Sequence, residues 1–183
     1  MAYNINEMRA QMALGGARPS LFQVQITNPI DPSGDLKLPF MCRASGLPPW
    51  QTGVVPVSYF GRRINLAGVR QFEPWTVTIY NDEDFIIRNA MEGWNNAQNT
   101  LEGNIANFGS ASPNEYKSQA TVTQFGKTGN VIRVYQFNGI FPVSVSGIEL
   151  DWANGDAIEE FQVTFSLDDF FVAGGITGNA GGK

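Results

Sequence analysis

Ile158-Glu-Glu-Phe-Gln-Val-Thr-Phe-Ser-Leu-Asp168 holds an unbroken alternation, in which Phe161, Val163, Phe165 and Leu167 interleave with Gln162, Thr164, Ser166 and Asp168. Side chains along a strand point to opposite faces in turn, so a period of two means one buried face and one small polar face. Just upstream stands Asn154-Gly155, a pair suited to positive φ in a tight turn, with Gly147–Trp152 before it. That order predicts a hairpin of Gly147–Trp152 with Ile158–Leu167. Trp75-Thr-Val-Thr-Ile-Tyr80 repeats the period, with Trp75, Val77 and Ile79 on one face and threonines on the other. The chain is read as mainly β.

Working outward, the same pattern marks further strands. Leu21–Thr27 turns Phe22, Val24 and Ile26 inward, and strands are expected around Leu38–Ala44, Val54–Phe60 and Arg63–Leu66. Two more, Gln119–Phe125 and Val131–Ile140, flank a turn at Lys127–Asn130. Leu47-Pro-Pro-Trp-Gln-Thr-Gly53 is read as a loop, because proline cannot donate to a central ladder, with Trp50 at its tip. Apolar residues recur at helical spacing only over Phe85–Gln98 and, briefly, at Ile5, Met8 and Met12 ahead of Gly15-Gly16. Gly103–Asn114 reads as a surface loop. From Val172 onward the composition is too glycine-rich to pack, and the end is expected to be mobile. The expected organisation is an N-terminal arm or short helix over residues 1–16, a β domain over 17–171 and a flexible tail over 172–183. The fold class is a β-sandwich or barrel with one flanking α-helix.

Composition narrows the function. A chain of 183 residues suits one domain that buries roughly 70% of its unfolded surface. Its 16% of charged residues is sparse against the usual value of about 25%, which suits extensive contact with other subunits. A net charge of −5 argues against a nucleic-acid binder. No apolar run reaches the roughly 20 residues of a membrane-spanning helix. Residues 1–10 carry Glu7 and Arg9 rather than the pattern of a signal peptide, so the chain is expected to stay in the cytoplasm where it is made.

The sequence has no histidine, which removes the commonest general base and the commonest metal ligand together. Cys42, in apolar Phe40-Met-Cys-Arg-Ala44, reads as a core residue rather than a nucleophile. Asp31-Pro-Ser-Gly-Asp35 and Asn81-Asp-Glu-Asp84 offer calcium-type oxygen ligands, but the first is a polar turn and the second precedes a helix that it can cap. No catalytic, cofactor-binding or metal-ligating residue is expected, and no enzyme.

Five segments, in order, resemble the tail tube proteins of T-even-like, contractile-tailed bacteriophages. They are Ala17–Ile26, Phe40–Pro48, Gly61–Gly68 continuing through Arg70, Phe72 and Trp75 to Glu83, Pro113–Lys117, and Gly139–Pro142 through Glu149–Trp152 to Ile158–Phe165. The Asn28–Lys37 turn looks longer than in the family, and the glycine-rich end after Phe171 looks added. The resemblance implies homohexameric rings stacked into a tube in the virion tail, assembled in the host cytoplasm. Neighbouring subunits would join their strands into a ring-shaped β-barrel, which satisfies sheet edges that would otherwise pair without control. It further implies sheath, baseplate, tape-measure and tail terminator proteins as partners, with DNA passing through the channel unbound. The inner tube of a type VI secretion apparatus and a baseplate tube initiator are similar in fold and stay open as alternatives; a carbohydrate-binding sandwich is a third.

On that footing Leu47, Pro48, Pro49 and Trp50 match the family's contact with the next ring, although Trp50 packing on its own domain is the competing reading. Arg62, Arg63 and Arg70 are candidates for pairing with carboxylates of a neighbouring subunit. Gln162, Thr164, Ser166 and Asp168 are candidates for the channel lining, because small polar side chains without cations let phosphates pass. From Gly139 onward seven acidic residues stand against Lys183 alone. They either face the channel or form a solvated acidic surface.

Overall fold

The computed structural model describes residues 4–103, 105, 112–153 and 155–180. Its centre is β5 (Trp75–Tyr80), paired antiparallel with β8 (Glu160–Ser166) so that Trp75, Val77 and Ile79 lie opposite Phe165, Val163 and Phe161. All six are essentially inaccessible to water, as the alternation requires. β2 (Cys42–Gly46) extends this sheet along the free edge of β5. A second layer is built from β1 (Phe22–Ile26), β6 (Ser118–Phe125) and β9 (Asp169–Gly174) around β7 (Val131–Val145).

β7 belongs to both layers. Its first part pairs with β9 through Asn138 and with β6 as far as Ile140, and its last residues, Phe141–Val145, pair with β8. The bend between them falls at Gly139, where φ is +63° and a Cβ would run into the Asp168 carboxylate. Only glycine takes that conformation without strain and leaves that space. The layers therefore form an open sandwich hinged on one strand, in keeping with the expected sandwich or barrel.

The helix predicted over Phe85–Gln98 is α3 (Ile86–Gln98; α1 is Ile5–Gln11, α2 is Leu38–Met41). It closes one side of the sandwich by burying Ile87, Ala90, Met91, Trp94 and Ala97. Asn95 and Gln98 donate to the Pro142 carbonyl, beside the β7–β8 register shift. Phe85 holds the N-cap position of α3, and Asp84 just before it accepts the Ile86 N–H at 3.2 Å, satisfying one of the helix's free N–H groups. A helical turn, α4 (Pro113–Tyr116), presents its Tyr116 carbonyl to Trp94 Nε1 at 2.8 Å.

Aromatic rings run through the core as a column. Trp75 stacks on Phe137 (4.5 Å between centroids, 9° between planes), Phe137 on Phe170 (5.3 Å), and Phe170 on Trp50 (5.3 Å). The column continues from Trp75 to Phe165 and on to Trp94.

Four expectations are corrected. Leu38–Ala44 is not one strand: Pro39 sits in the first turn of α2, where its missing N–H costs nothing, and β2 starts only at Cys42. The loop ends at Pro49, because every residue from Trp50 to Gly53 has an N–H to give and joins β3 (Trp50–Tyr59). The partner of β8 is Phe141–Val145 rather than Gly147–Trp152; Ile148–Leu150 adopts no strand, and Asn154 of the expected turn lies outside the described residues. The glycine-rich end does not begin at Val172, which is 3% exposed inside β9; the strand runs to Gly174, and the Thr177 N–H still reaches the Ile132 carbonyl. Backbone ladder bonds need no side chain, so glycine content alone does not stop pairing beside a strand already in place. The Gly103–Asn114 loop falls mostly outside the described residues.

Because Phe137 stacks on both sides, Phe137→Ala is expected to lower unfolding free energy by about 3–5 kcal/mol. Ser166→Ala on the outer face should change it by less than about 0.5 kcal/mol. Urea titration followed by tryptophan fluorescence measures both, and equal effects would deny the column its role.

Candidate assembly surfaces

β3 and β4 (Arg62–Phe72) form a two-stranded sheet of their own. Beyond a bulge between Thr52 and Val54, the register sets Val55 opposite Leu66, Val57 opposite Ile64 and Tyr59 opposite Arg62. Directly opposed residues share a face, so Val55, Val57, Tyr59, Ile64 and Leu66 make one contiguous apolar surface. Each is 43% exposed or more. The reverse face carries Val54, Pro56, Ser58, Arg63, Asn65 and Ala67. This hairpin is an arm whose more apolar face has, among the described residues, nothing of its own chain over it.

Its root and tip differ. At the root, Trp50 and Phe72 lie opposite each other and both meet the Phe170 ring, while the Arg70 guanidinium sits 5.6 Å over Trp50. The arm leaves the domain where Gly53 and Gly68 approach so closely that a Cβ on Gly68 would touch the Gly53 carbonyl. At the tip, Phe60 and Gly61 both take positive φ (+44° and +76°), the pattern that a two-residue hairpin loop demands and that Asn-Gly usually supplies. Phe60 is 89% exposed.

The sequence-predicted residues distribute around this frame. Leu47, Pro48 and Pro49 lead into the arm's root, with Pro48 buried, and Trp50 is half-exposed but stacked on its own domain. Arg62 and Arg63 lie near the tip on opposite faces, and Arg70 lies at the root. Gln162 and Thr164 point outward from β8, beside Thr78 and Thr76 of β5, and Ser166 ends the strand. Asp168 lies past β8 in the turn to β9, where both of its carboxylate oxygens accept from Lys117 Nζ at 2.7 and 2.8 Å. A second uncharged outer face is formed by Gln23, Gln25, Thr121, Thr123 and Gln136, whose polar alternation is as regular as that of β8.

The acidic clusters have structural partners. Asp31 accepts from the Ser33 N–H, which holds its pKa below the ordinary carboxylate value. Burial raises that of Asp35 even though it accepts from the Asn28 N–H. Asp82 and Asp84 both bind Lys37 Nζ at 2.5 Å; that contact lowers the two carboxyls and raises the lysine. Burial pushes the Cys42 thiol up to about 12.

The segment expected as the first strand of the last hairpin, Gly147–Trp152, is a surface instead. Ile148–Trp152 and Ile158–Gln162 border an open cleft of about 710 Å³ whose rim exposes Leu150 and Trp152 almost fully. Glu160 on that rim is held by Arg43, and Glu159 accepts from Asn81.

A β-sandwich hinged on one strand, with a projecting arm whose apolar face is exposed, is the frame that carries these surfaces. The fold is shared with an extracellular contractile injection system subunit from the PVC sheath–tube complex (TM-score 0.59, 14% identity, 89% of this chain and 95% of that one). It is likewise shared with a chain of the anti-feeding prophage baseplate, a sixfold-symmetrised structure (TM-score 0.58, 10% identity, 87% and 96%). The phage tail tube protein family model matches residues 17–173, and tail tube protein gp19 of Enterobacteria phage T4 is 35% identical over 153 residues, 83% of this chain and 89% of gp19. The chain belongs to the phage tail tube protein family and is a structural subunit of the tail tube.

The raised Cys42 pKa predicts a thiol that stays protonated at pH 8, since the thiolate forms only as pH approaches the raised value. Ellman's reagent should therefore react much more slowly with native than with urea-unfolded protein. Equal rates would place Cys42 in an ordinary aqueous setting.

Proposed function

We propose that this subunit closes into six-membered rings that stack into a hollow tube, and that DNA passes through the bore without being held. The observation that carries this reading is the arm, whose apolar face is left uncovered by the described residues and is buried by another subunit in this reading. The sixfold baseplate of like fold supports the ring number. The bore is lined by the β5–β8 outer face, where Thr76, Thr78, Gln162 and Thr164 present hydroxyl and amide groups and no cation. Assembly takes place in the host cytoplasm. Sheath, baseplate, tape-measure and terminator proteins are the partners, and the chain catalyses nothing.

Removing Val54–Ala67 and joining Gly53 to Gly68 takes away no core residue. The shortened chain should melt within a few degrees of the full one yet give no rings or tubes by negative-stain electron microscopy, while the full chain does. Tubes from the shortened chain would remove the arm from assembly.

The lining is tested by charge. Gln162→Lys with Thr164→Lys should leave assembly intact and slow genome ejection, with partial recovery at higher salt, because each lysine on a phosphate releases counterions. The same exchange at Gln25 and Thr121 should leave ejection unchanged. The opposite result would move the bore to the β1–β6 face.

A further inference from the structure

We infer that the last hairpin is a two-state element, held open by the Ser146 hydroxyl wedged into the β7–β8 ladder. In its closed form Ile148–Leu150 continues β7 alongside Glu159 and Glu160. The exchange decides whether Leu150 and Trp152 stand at the surface, and it does not depend on the tube reading above.

The ladder ends at an identifiable set of atoms. The Ser146 N–H donates to the Gln162 carbonyl at 2.8 Å, as a ladder residue does. The return bond is not backbone to backbone: the Gln162 N–H donates to Ser146 Oγ at 2.9 Å, and that hydroxyl donates to the Gly147 carbonyl at 3.1 Å. One side-chain oxygen thus fills the gap that a direct bond from the Gln162 N–H to the Gly147 carbonyl would close. The Ser146 carbonyl accepts from Arg88 Nη2 of α3 instead, at 3.4 Å.

Beyond this point two strand edges face each other unjoined. Glu160 lies two residues from Gln162, so its N–H and carbonyl point to the same side of β8. No residue of Gly147–Trp152 is in a ladder with it. The cleft of about 710 Å³ between Ser146–Trp152 and Ala157–Gln162 is this open seam. Ile148-Glu-Leu-Asp-Trp152 nevertheless alternates as a strand does. The open form also leaves groups unsatisfied. Leu150 and Trp152 are exposed, and Arg88 Nη1 is buried with no partner among the described residues. Exposed apolar area and a buried unpaired donor both cost free energy.

The closed register follows from Ile148, which packs on the core. To stay there it must share the inward face of Phe161, so Ser146 and Gly147 together oppose Gln162. That is a β-bulge, like the shift β7 already makes between Pro142 and Ser144. Leu150 then lies opposite Glu159 and Glu149 opposite Glu160, with Leu150 and Trp152 on the side of Ile148. Charge works against closing, because Glu149 and Glu160 become facing neighbours of like sign. Gly147 gives the junction its freedom, and a Cβ added there meets nothing within 4 Å.

Ser146→Ala with Gly147→Val removes the wedge and favours extended backbone. Nuclear magnetic resonance of the full chain, kept monomeric, reads the result. The Glu160 amide should exchange at least about tenfold more slowly than in the unchanged chain. A new Hα–Hα contact should join Leu150 to Glu159, a closely spaced pair in this register. Glu149→Gln alone, with the wedge kept, should slow the Glu160 amide by about threefold. Val163 is paired in both forms and should stay protected throughout, which reports an intact fold. A Glu160 amide as fast in the double variant as in the unchanged chain, with Val163 protected, overturns the closed form. A Glu149–Glu159 contact in place of Leu150–Glu159 overturns the bulged register. A Glu160 amide already as protected as Val163 in the unchanged chain overturns the open form. Should the double variant fail to fold, an unaltered Glu160 amide in Glu149→Gln overturns the proposal by itself.

Discussion

The Phe170 ring is the joint on which the molecule depends. It receives Phe137 from the core and Trp50 and Phe72 from the arm, so one side chain of the last strand ties the projecting hairpin to the packed interior. A two-stranded hairpin is marginal in water when left to itself. Here its root is fixed by aromatic stacking, and only the part beyond Gly53 and Gly68 is left to find cover elsewhere. β9 matters for the same reason: without pairing to β7 it could not hold Phe170 in the column.

Sequence alone reveals most of this wherever a segment buries one face inside its own chain. The alternation at Trp75–Tyr80 and Phe161–Phe165, and the helical spacing over Ile86–Gln98, report contacts that the chain makes with itself, and the structure has all three. What proved illegible was pairing. Nothing local distinguishes Phe141–Val145 from Gly147–Trp152 as the mate of β8, because both alternate; the choice is made by the bend at Gly139 and by α3 donating to the Pro142 carbonyl. The arm's extent was hidden by the prolines before Trp50, and the last strand by the glycines that follow it.

Candidate surfaces were legible as residue types but not as places. The arginines of the third shared segment were found, but their split between the two faces of a hairpin follows from a register that composition cannot give. Asp168 seemed to continue the β8 face, yet the strand stops at Ser166 and the carboxylate turns to Lys117. Trp50, a candidate for contact with the next ring, stacks on Phe170 of its own chain, the arrangement of the competing reading.

The strain at the arm's tip argues for the same economy of design. An aromatic at positive φ costs about 1–2 kcal/mol, and Asn in place of Phe60 would ease that strain. In the single chain the ring is almost wholly exposed and meets the Tyr59 ring edge-on at 4.6 Å, so it returns little there. A conformation that is costly in the monomer and useful only in contact favours a subunit that stays folded and separate until a growing end is offered. The net charge of −5 acts in the same direction, since like-charged subunits repel until a local attraction overcomes it. With a Debye length of about 8 Å at physiological salt, that repulsion is felt only on close approach.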